Sequence, residues 1–176
     1  GSPLHWSAYP FATSVWSAVA GHQGVPVRVS WVLLGTTPSL AAVGCGTCTE
    51  TGMGCTPAVG LALRTLSGDV DPGLMWYLAR TEHMTAEQFH RMVNHESGLL
   101  GVSETSADLR DLLAHEGDDV RAAEAIALFC YQAKTWIGWY AAALGGRAQL
   151  VVAGGRGEKA PRARQRGGEG RGGGRG

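Results

Sequence analysis

The sequence predicts an α/β fold in which an antiparallel hairpin opens a twisted sheet and helices pack against it. Three features point there. Residues 27–34 are rich in β-branched and aromatic residues and end at Gly35, and a second apolar run covers residues 39–43, so two neighbouring strands are expected. Residues 71–144 carry one helix start after another and close with a long stretch whose apolar positions recur at intervals of three and four. Residues 149–153 then form a short apolar strand running into Gly154-Gly155.

Before the first strand, Trp6, Tyr9, Phe11 and Trp16 lie among small residues without a sustained period, so residues 1–26 receive no assigned structure. Between the second and third strands, Gly44-Cys45-Gly46-Thr47 supplies hairpin-turn chemistry, and residues 48–51 are the returning strand. Asp71-Pro72 reads as an N-cap with proline in the first turn, opening a helix through Met75, Trp76, Leu78 and Ala79. Thr85-Ala-Glu-Gln88 is a capping box opening a helix through Phe89, Met92 and Val93. Residues 97–103 break the helical pattern, and Ser106 or a neighbour caps the next helix, which carries Leu109, Leu112 and Leu113. Asp118 is the expected cap of the longest helix, through Ala123, Ile126, Cys130, Ala133, Ile137, Tyr140 and Leu144, which Gly145-Gly146 stops. Trp136 and Trp139 could stack on a ligand; at helical spacing, core or interface packing is the expected role.

Composition bounds the function classes. Fifteen basic side chains balance 15 acidic ones over 176 residues, an ordinary globular composition with no general pull towards nucleic acid or a membrane surface. One domain is the default at this length. No apolar run approaches the ~18 residues of a spanning helix, and no basic segment followed by an apolar one opens the chain, so a cytoplasmic protein is expected. Gly1-Ser2 reads as a cloning scar. The Cys45-Gly-Thr-Cys48 spacing invites a zinc or redox reading, but no second close pair accompanies it; with Cys55 and Cys130 these are expected to be reduced structural thiols, and no metal ligands are assigned.

The most informative stretch is residues 51–72. Glycines at 52, 54, 60 and 68 permit turns and close approach of the backbone to a ligand, and Pro57 and Pro72 fix where turns fall. It resembles the segment of acetate kinases that reads Thr-Ser-Met-Gly-Phe-Thr-Pro-Leu-Glu-Gly and then Gly-Thr-Arg-Ser-Gly-Asp-Ile-Asp-Pro, with ordered matches at Met53, Gly54, Thr56, Pro57, Gly60, Leu61, Thr65, Ser67, Gly68, Asp69, Asp71 and Pro72. Further on, Ser97-Gly98-Leu99-Leu100-Gly101 and Asp108-Leu109-Arg110-Asp111 resemble that family's Ser-Gly-Leu-Leu-Gly and Asp-Met-Arg-Asp motifs. Gly154-Gly155-Arg156-Gly157-Glu158-Lys159 resembles its Gly-Gly-Ile-Gly-Glu-Asn loop. Taken alone, Asp108 and Arg110 are an exposed helix charge pattern; the resemblance turns them into expected nucleotide contacts.

The resemblance implies the actin-like (ribonuclease H-like) ATPase fold, here its second domain only, over residues 27–155. It implies a carboxylate phosphotransferase making ADP and acetyl phosphate from ATP and acetate, with Mg²⁺ on the nucleotide, a short carboxylic acid as acceptor and a homodimer as assembly. Carried over by position, the nucleotide contacts are Gly35, Ser39, Asp108, Leu109, Arg110, Gly154, Gly155, Gly157 and Glu158.

The chain also departs from the family pattern. The Phe-His-Gly-Thr-Ser-His motif has no counterpart near Tyr9-Pro10-Phe11, and the phosphate turn reads Gly35-Thr36-Thr37-Pro38-Ser39, in which Thr37 and Pro38 restrict the backbone and remove one N–H. Leu66 stands where the family has its transition-state arginine, with Arg64 two residues away as a substitute. No catalytic residue is intact on this reading, so the chain alone is expected to be weakly active or inactive. The alternative is a non-catalytic nucleotide-binding remnant or interaction module. Residues 156–176, arginines spaced by glycine, cannot bury a core; an aberrant terminus is expected there over a nucleic-acid-binding tail.

Overall fold

A computed structural model describes residues 28–33, 39–44, 47–52, 56, 58–146 and 149–153. The expectations for residues 1–26, the Gly35 turn, the Cys45-Gly46 turn, Met53 to Cys55, Pro57 and residues 154–176 lie outside them. The chain divides into two compact units, one made of Gly1–Gly54 with Ala133–Gly176 and the other of Cys55–Gln132.

The first unit is built on a sheet of β1 (Arg28–Leu33), β2 (Ser39–Gly44), β3 (Thr47–Thr51) and β4 (Gln149–Ala153) in the order β3-β2-β1-β4. β2 pairs antiparallel with both neighbours, while β4 adds to the free side of β1 in parallel, with Ser30 opposite Leu150. The expected hairpin-opened sheet is therefore present, and each strand falls within a residue or two of its expected place. β2 explains why: Leu40, Ala41, Ala42 and Val43 are all essentially buried, which marks a central strand covered on both faces. Against it, the edge strand β3 carries a bulge, since Ala42 pairs with Glu50 but Val43 with Cys48; the extra residue, Thr49, donates its hydroxyl to the Ala42 carbonyl at 3.2 Å.

The end of the long helix closes this unit. α5 (Val120–Ala143) is cut by the division between the units, and its part from Ala133 onward lies against the sheet: Tyr140 donates its hydroxyl to the Leu40 carbonyl at 3.4 Å. Gly145 and Gly146 both take positive φ and stop the helix as expected, and Arg28 donates to the Gly145 carbonyl at 3.0 Å. Trp136 and Trp139 stack 4.7 Å apart, but Trp139 is 57% exposed, so it is a surface aromatic rather than a core one.

The second unit is helical. α1 (Gly73–Thr81) starts one residue later than expected: Pro72, with backbone angles already helical, is its N-cap residue rather than part of the first turn, and the Asp71 carboxylate just before it accepts from Gly73 N at 2.7 Å. α2 (Ala86–His95) has both halves of the capping box, Gln88 N donating to the Thr85 hydroxyl and Thr85 N to the Gln88 side chain. Two further expectations need correction. Residues 97–103 do not interrupt the helices but form a short one, α3 (Gly98–Ser103). The cap of α5 is Asp119, not Asp118: its carboxylate accepts from Arg121 N at 2.9 Å, while Asp118 lies in the preceding turn. α4 (Leu109–His115) is capped by Asp108, with Ser106 two residues earlier accepting from Asp108 N. The core of this unit combines Leu61, Leu63, Val93, Leu99, Leu112, Ile126 and Phe129.

Ser30, at the centre of β1, is fully buried and its hydroxyl has no hydrogen-bond partner among the described residues. A buried hydroxyl left unpaired costs about 1–3 kcal/mol relative to an apolar group of similar shape. Ser30→Ala is expected to raise stability by ~1 kcal/mol, read as a higher urea midpoint at unchanged slope; a loss of stability of that size would mean that the hydroxyl has a partner after all.

Candidate functional site

The site is organised by the loop of residues 58–72. Gly60 N donates to the Asp69 carboxylate at 2.9 Å and Asp69 N donates to the Gly60 carbonyl at 3.0 Å, a reciprocal clasp that closes the loop on itself. Gly68 completes it at φ 76°, where a Cβ would sit 2.6 Å from the Gly60 carbonyl oxygen. Inside the clasp, Leu61, Ala62 and Leu63 are buried, Ala62 N donates to the Gln132 side chain at 2.8 Å, and Leu63 N donates to the Leu66 carbonyl to form a tight turn.

That turn is fastened to α3 by three successive backbone hydrogen bonds. Leu99 N donates to the Leu63 carbonyl, Leu100 N to the Arg64 carbonyl and Ser97 N to the Thr65 carbonyl, at 3.0, 2.9 and 3.1 Å. The Thr65 hydroxyl donates to the Asn94 carbonyl and Ser67 N to the Val93 carbonyl, which ties in the end of α2. The Ser97-Gly98-Leu99-Leu100-Gly101 motif is thus the seat of the Leu63-Arg64-Thr65-Leu66 turn. This coupling of two motifs about 30 residues apart was not legible from either alone.

Arg64 comes off this seat toward Asp108. The Asp108 carboxylate accepts from Arg110 N at 3.0 Å as the α4 cap, from Arg110 Nε at 3.2 Å and from Arg110 Nη2 at 2.9 Å; Arg64 Nη1 stands 3.8 Å from the same oxygen that takes Nη2. Arg110 is a bidentate partner, and its guanidinium is pushed above its ordinary pKa first by the hydrogen bonds to Asp108 and then by the charges of Asp108 and Asp111. Arg64 is an ion-pair partner at long range with its side chain 39% exposed, an arrangement worth roughly 0–1 kcal/mol. Asp111 takes the Ser106 hydroxyl at 3.0 Å.

Of the sequence-predicted site residues, Asp108 and Arg110 are in contact, with Arg64 beside them, and Leu109 follows as the half-buried first residue of α4. Leu66 is half-buried and contributes its carbonyl to the turn. Ser39 begins β2 opposite Leu33. Gly35, Gly154, Gly155, Gly157 and Glu158 lie outside the described residues.

Other chemistry is sparse. Cys48 and Cys130 are buried cysteines, and burial pushes the Cys48 thiol above its ordinary pKa against the opposing hydrogen bond to the Glu50 carbonyl, which disfavours the reactive thiolate. Among the described residues, no three His, Cys, Asp or Glu side chains converge on a point where they could hold a metal ion. No helix of the described residues is long and apolar enough to cross a membrane.

The chain is similar to known proteins in both sequence and structure. The acetokinase family model matches residues 4–169. The chain is 40% identical over 165 residues to a propionate kinase of Citrobacter koseri, covering 92% of this chain and 40% of that protein. It is 43% identical over 135 residues to an acetate kinase of Caldicellulosiruptor saccharolyticus, covering 76% of this chain and 34% of that one. In structure it resembles the acetate kinase of Porphyromonas gingivalis with a TM-score of 0.84 at 33% identity, covering 91% of this chain and 40% of that one. The fold expected from the sequence, part of the acetate kinase architecture, is thus the fold found, and the chain spans about 40% of the length of these relatives. With the model matched across nearly the whole chain, the protein belongs to the acetokinase family.

Proposed function

We propose that this chain is the adenosine-side portion of an acetate or propionate kinase site: it binds ADP and ATP weakly and nearly equally, with Mg²⁺ on the phosphates. By itself it carries out little or none of the family's transfer. In that transfer a carboxylate oxygen of the short acid attacks the γ-phosphorus of ATP, the bond from that phosphorus to the β-phosphate bridging oxygen breaks, and ADP leaves. The protein contributes by positioning and by cationic donors on the transferring group's oxygens.

The observation that carries the reading is the contrast within the second unit. Asp108 and Arg110 are built and locked together, whereas Leu66 places a leucine at the turn where the resemblance expects a cation. An arginine in that role is worth up to about 10⁵ in rate, and a single oxyanion donor about 10² to 10³.

Two measurements test it. Hydroxamate trapping of acetyl phosphate by the 176-residue chain is expected to give no turnover above a no-protein control. Calorimetric titration in Mg²⁺ is expected to give ADP and ATP affinities in the millimolar range and within about threefold of one another, under 1 kcal/mol apart. A strong ATP preference would show an intact γ-phosphate cradle, and clear turnover would show that the chain suffices for chemistry; either result sinks the reading.

A further inference from the structure

We propose that Arg64 is this protein's phosphate-binding side chain, gripping an oxygen of a nucleotide phosphate that ADP and ATP share. The assignment rests on the reading above that Asp108 and Arg110 meet an adenine nucleotide. Two guanidinium groups converge on one carboxylate, and they are held unequally. Arg110 spends its backbone N–H, Nε and Nη2 on Asp108 at 2.9–3.2 Å, whereas Arg64 stands 3.8 Å away with no hydrogen bond from its guanidinium among the described residues. Both Asp108 oxygens already accept from Arg110, so Arg64 loses little when it turns to another anion.

Charge count alone does not attract that anion. Arg64 and Arg110 are balanced by Asp108 and Asp111, so the local sum is zero. What remains is an accessible fork of N–H donors, matched in shape to two oxygens of a phosphate. The root of the side chain is fixed, because the carbonyls of Leu63, Arg64 and Thr65 are all bonded to the start of α3, while its guanidinium has only the 3.8 Å approach to Asp108 among the described residues. A donor on a fixed base beside a locked partner needs little ordering when the ligand arrives. Leu66, two residues along the same turn, has no donor in its side chain to offer.

The test compares adenosine with ADP, so that recognition of the base and sugar is separated from recognition of phosphate. Both are titrated calorimetrically, in Mg²⁺, into the full chain and into its Arg64→Ala and Arg64→Lys variants. The unaltered chain is expected to bind ADP about tenfold more tightly than adenosine, which corresponds to ~1.4 kcal/mol. Arg64→Ala is expected to bring ADP to within about twofold of adenosine while leaving adenosine's own affinity unchanged, and Arg64→Lys to fall between, since an ammonium keeps the charge without the planar fork. An ADP-to-adenosine ratio unaltered by Arg64→Ala, with adenosine still bound, overturns the assignment and leaves the nucleotide reading standing. Loss of adenosine affinity in Arg64→Ala also overturns it, because Arg64 would then act only by holding Asp108. Binding of neither compound by the unaltered chain overturns the nucleotide reading and this assignment with it.

Discussion

Gly98→Ala is expected to destabilise the helical unit by roughly 4 kcal/mol or more, one of the largest effects a single methyl group can have on a folded chain. Gly98 sits at φ 66°, where an alanine costs about 1–2 kcal/mol on conformation alone. The added Cβ would also lie 1.8 Å from the Leu63 carbonyl oxygen and 2.7 Å from that of Leu66. These are backbone atoms, so no side-chain rotation relieves the overlap. The turn must move off α3, and the hydrogen bonds that Leu99 N, Leu100 N and Ser97 N donate to residues 63, 64 and 65 move with it. Each buried polar group left unpaired adds about 1–3 kcal/mol. Gly138→Ala supplies the opposite sign: nothing lies within 4 Å of its Cβ position, it is mid-helix in α5, and alanine there is expected to add ~1 kcal/mol. Urea unfolding of both variants checks the pair. A Gly98→Ala protein within 1 kcal/mol of the original would show that the turn is not seated as described.

That seat also marks where reading the sequence succeeds and where it stops. The capping box at Thr85, the proline start at Pro72 and the glycine stop at Gly145 are legible because each is a local hydrogen-bond or φ requirement met by residues adjacent in sequence. The cap of α5 was missed by one residue because Asp118 and Asp119 are chemically identical. Only the geometry of the turn, with Asp119 N and Asp118 N both donating to the His115 carbonyl, decides which carboxylate faces Arg121 N. Trp139 was expected in a core or an interface from the helical spacing of the aromatics; its 57% exposure excludes the core, because spacing along a helix does not say which face is covered.

The candidate site was legible residue by residue but not as a cluster. Asp108 and Arg110 stand out through their motif, and their mutual bidentate bond follows from the cap geometry at the head of α4. Arg64 is legible in the sequence only as a cation two residues from Leu66; the Leu63 N to Leu66 carbonyl turn, neither helix nor strand, is what sends its side chain to Asp108. Long-range seating of one loop on another cannot be recovered from local periodicity, because it depends on which buried carbonyls are left over once each helix has satisfied its own.

Tyr140 carries the second large expectation, in the sheet-bearing unit. It is the largest fully buried side chain of the described residues, and its ring lies 5.6 Å from that of Trp136. Removing a buried aromatic ring to alanine costs about 3–5 kcal/mol through lost burial and the cavity left behind, so Tyr140→Ala is expected to unfold this unit or lower its stability by that amount. The hydroxyl contributes far less. It reaches the Leu40 carbonyl at 3.4 Å, and that oxygen already accepts from Gly52 N at 3.0 Å and from the Thr51 hydroxyl at 3.4 Å. Tyr140→Phe leaves the carbonyl satisfied and is expected to cost under ~1 kcal/mol. The same hydroxyl explains the glycine opposite: a Cβ on Gly52 would stand 3.3 Å from it, a tight contact that phenylalanine removes. Gly52→Ala should therefore cost more in the original protein than in the Tyr140→Phe background, a coupling of roughly 0.5–1 kcal/mol in a double-mutant cycle of urea midpoints. Equal costs in both backgrounds would place the Tyr140 hydroxyl away from Gly52, and a Tyr140→Phe loss as large as that of Tyr140→Ala would move the stabilisation from the ring to the hydrogen bond.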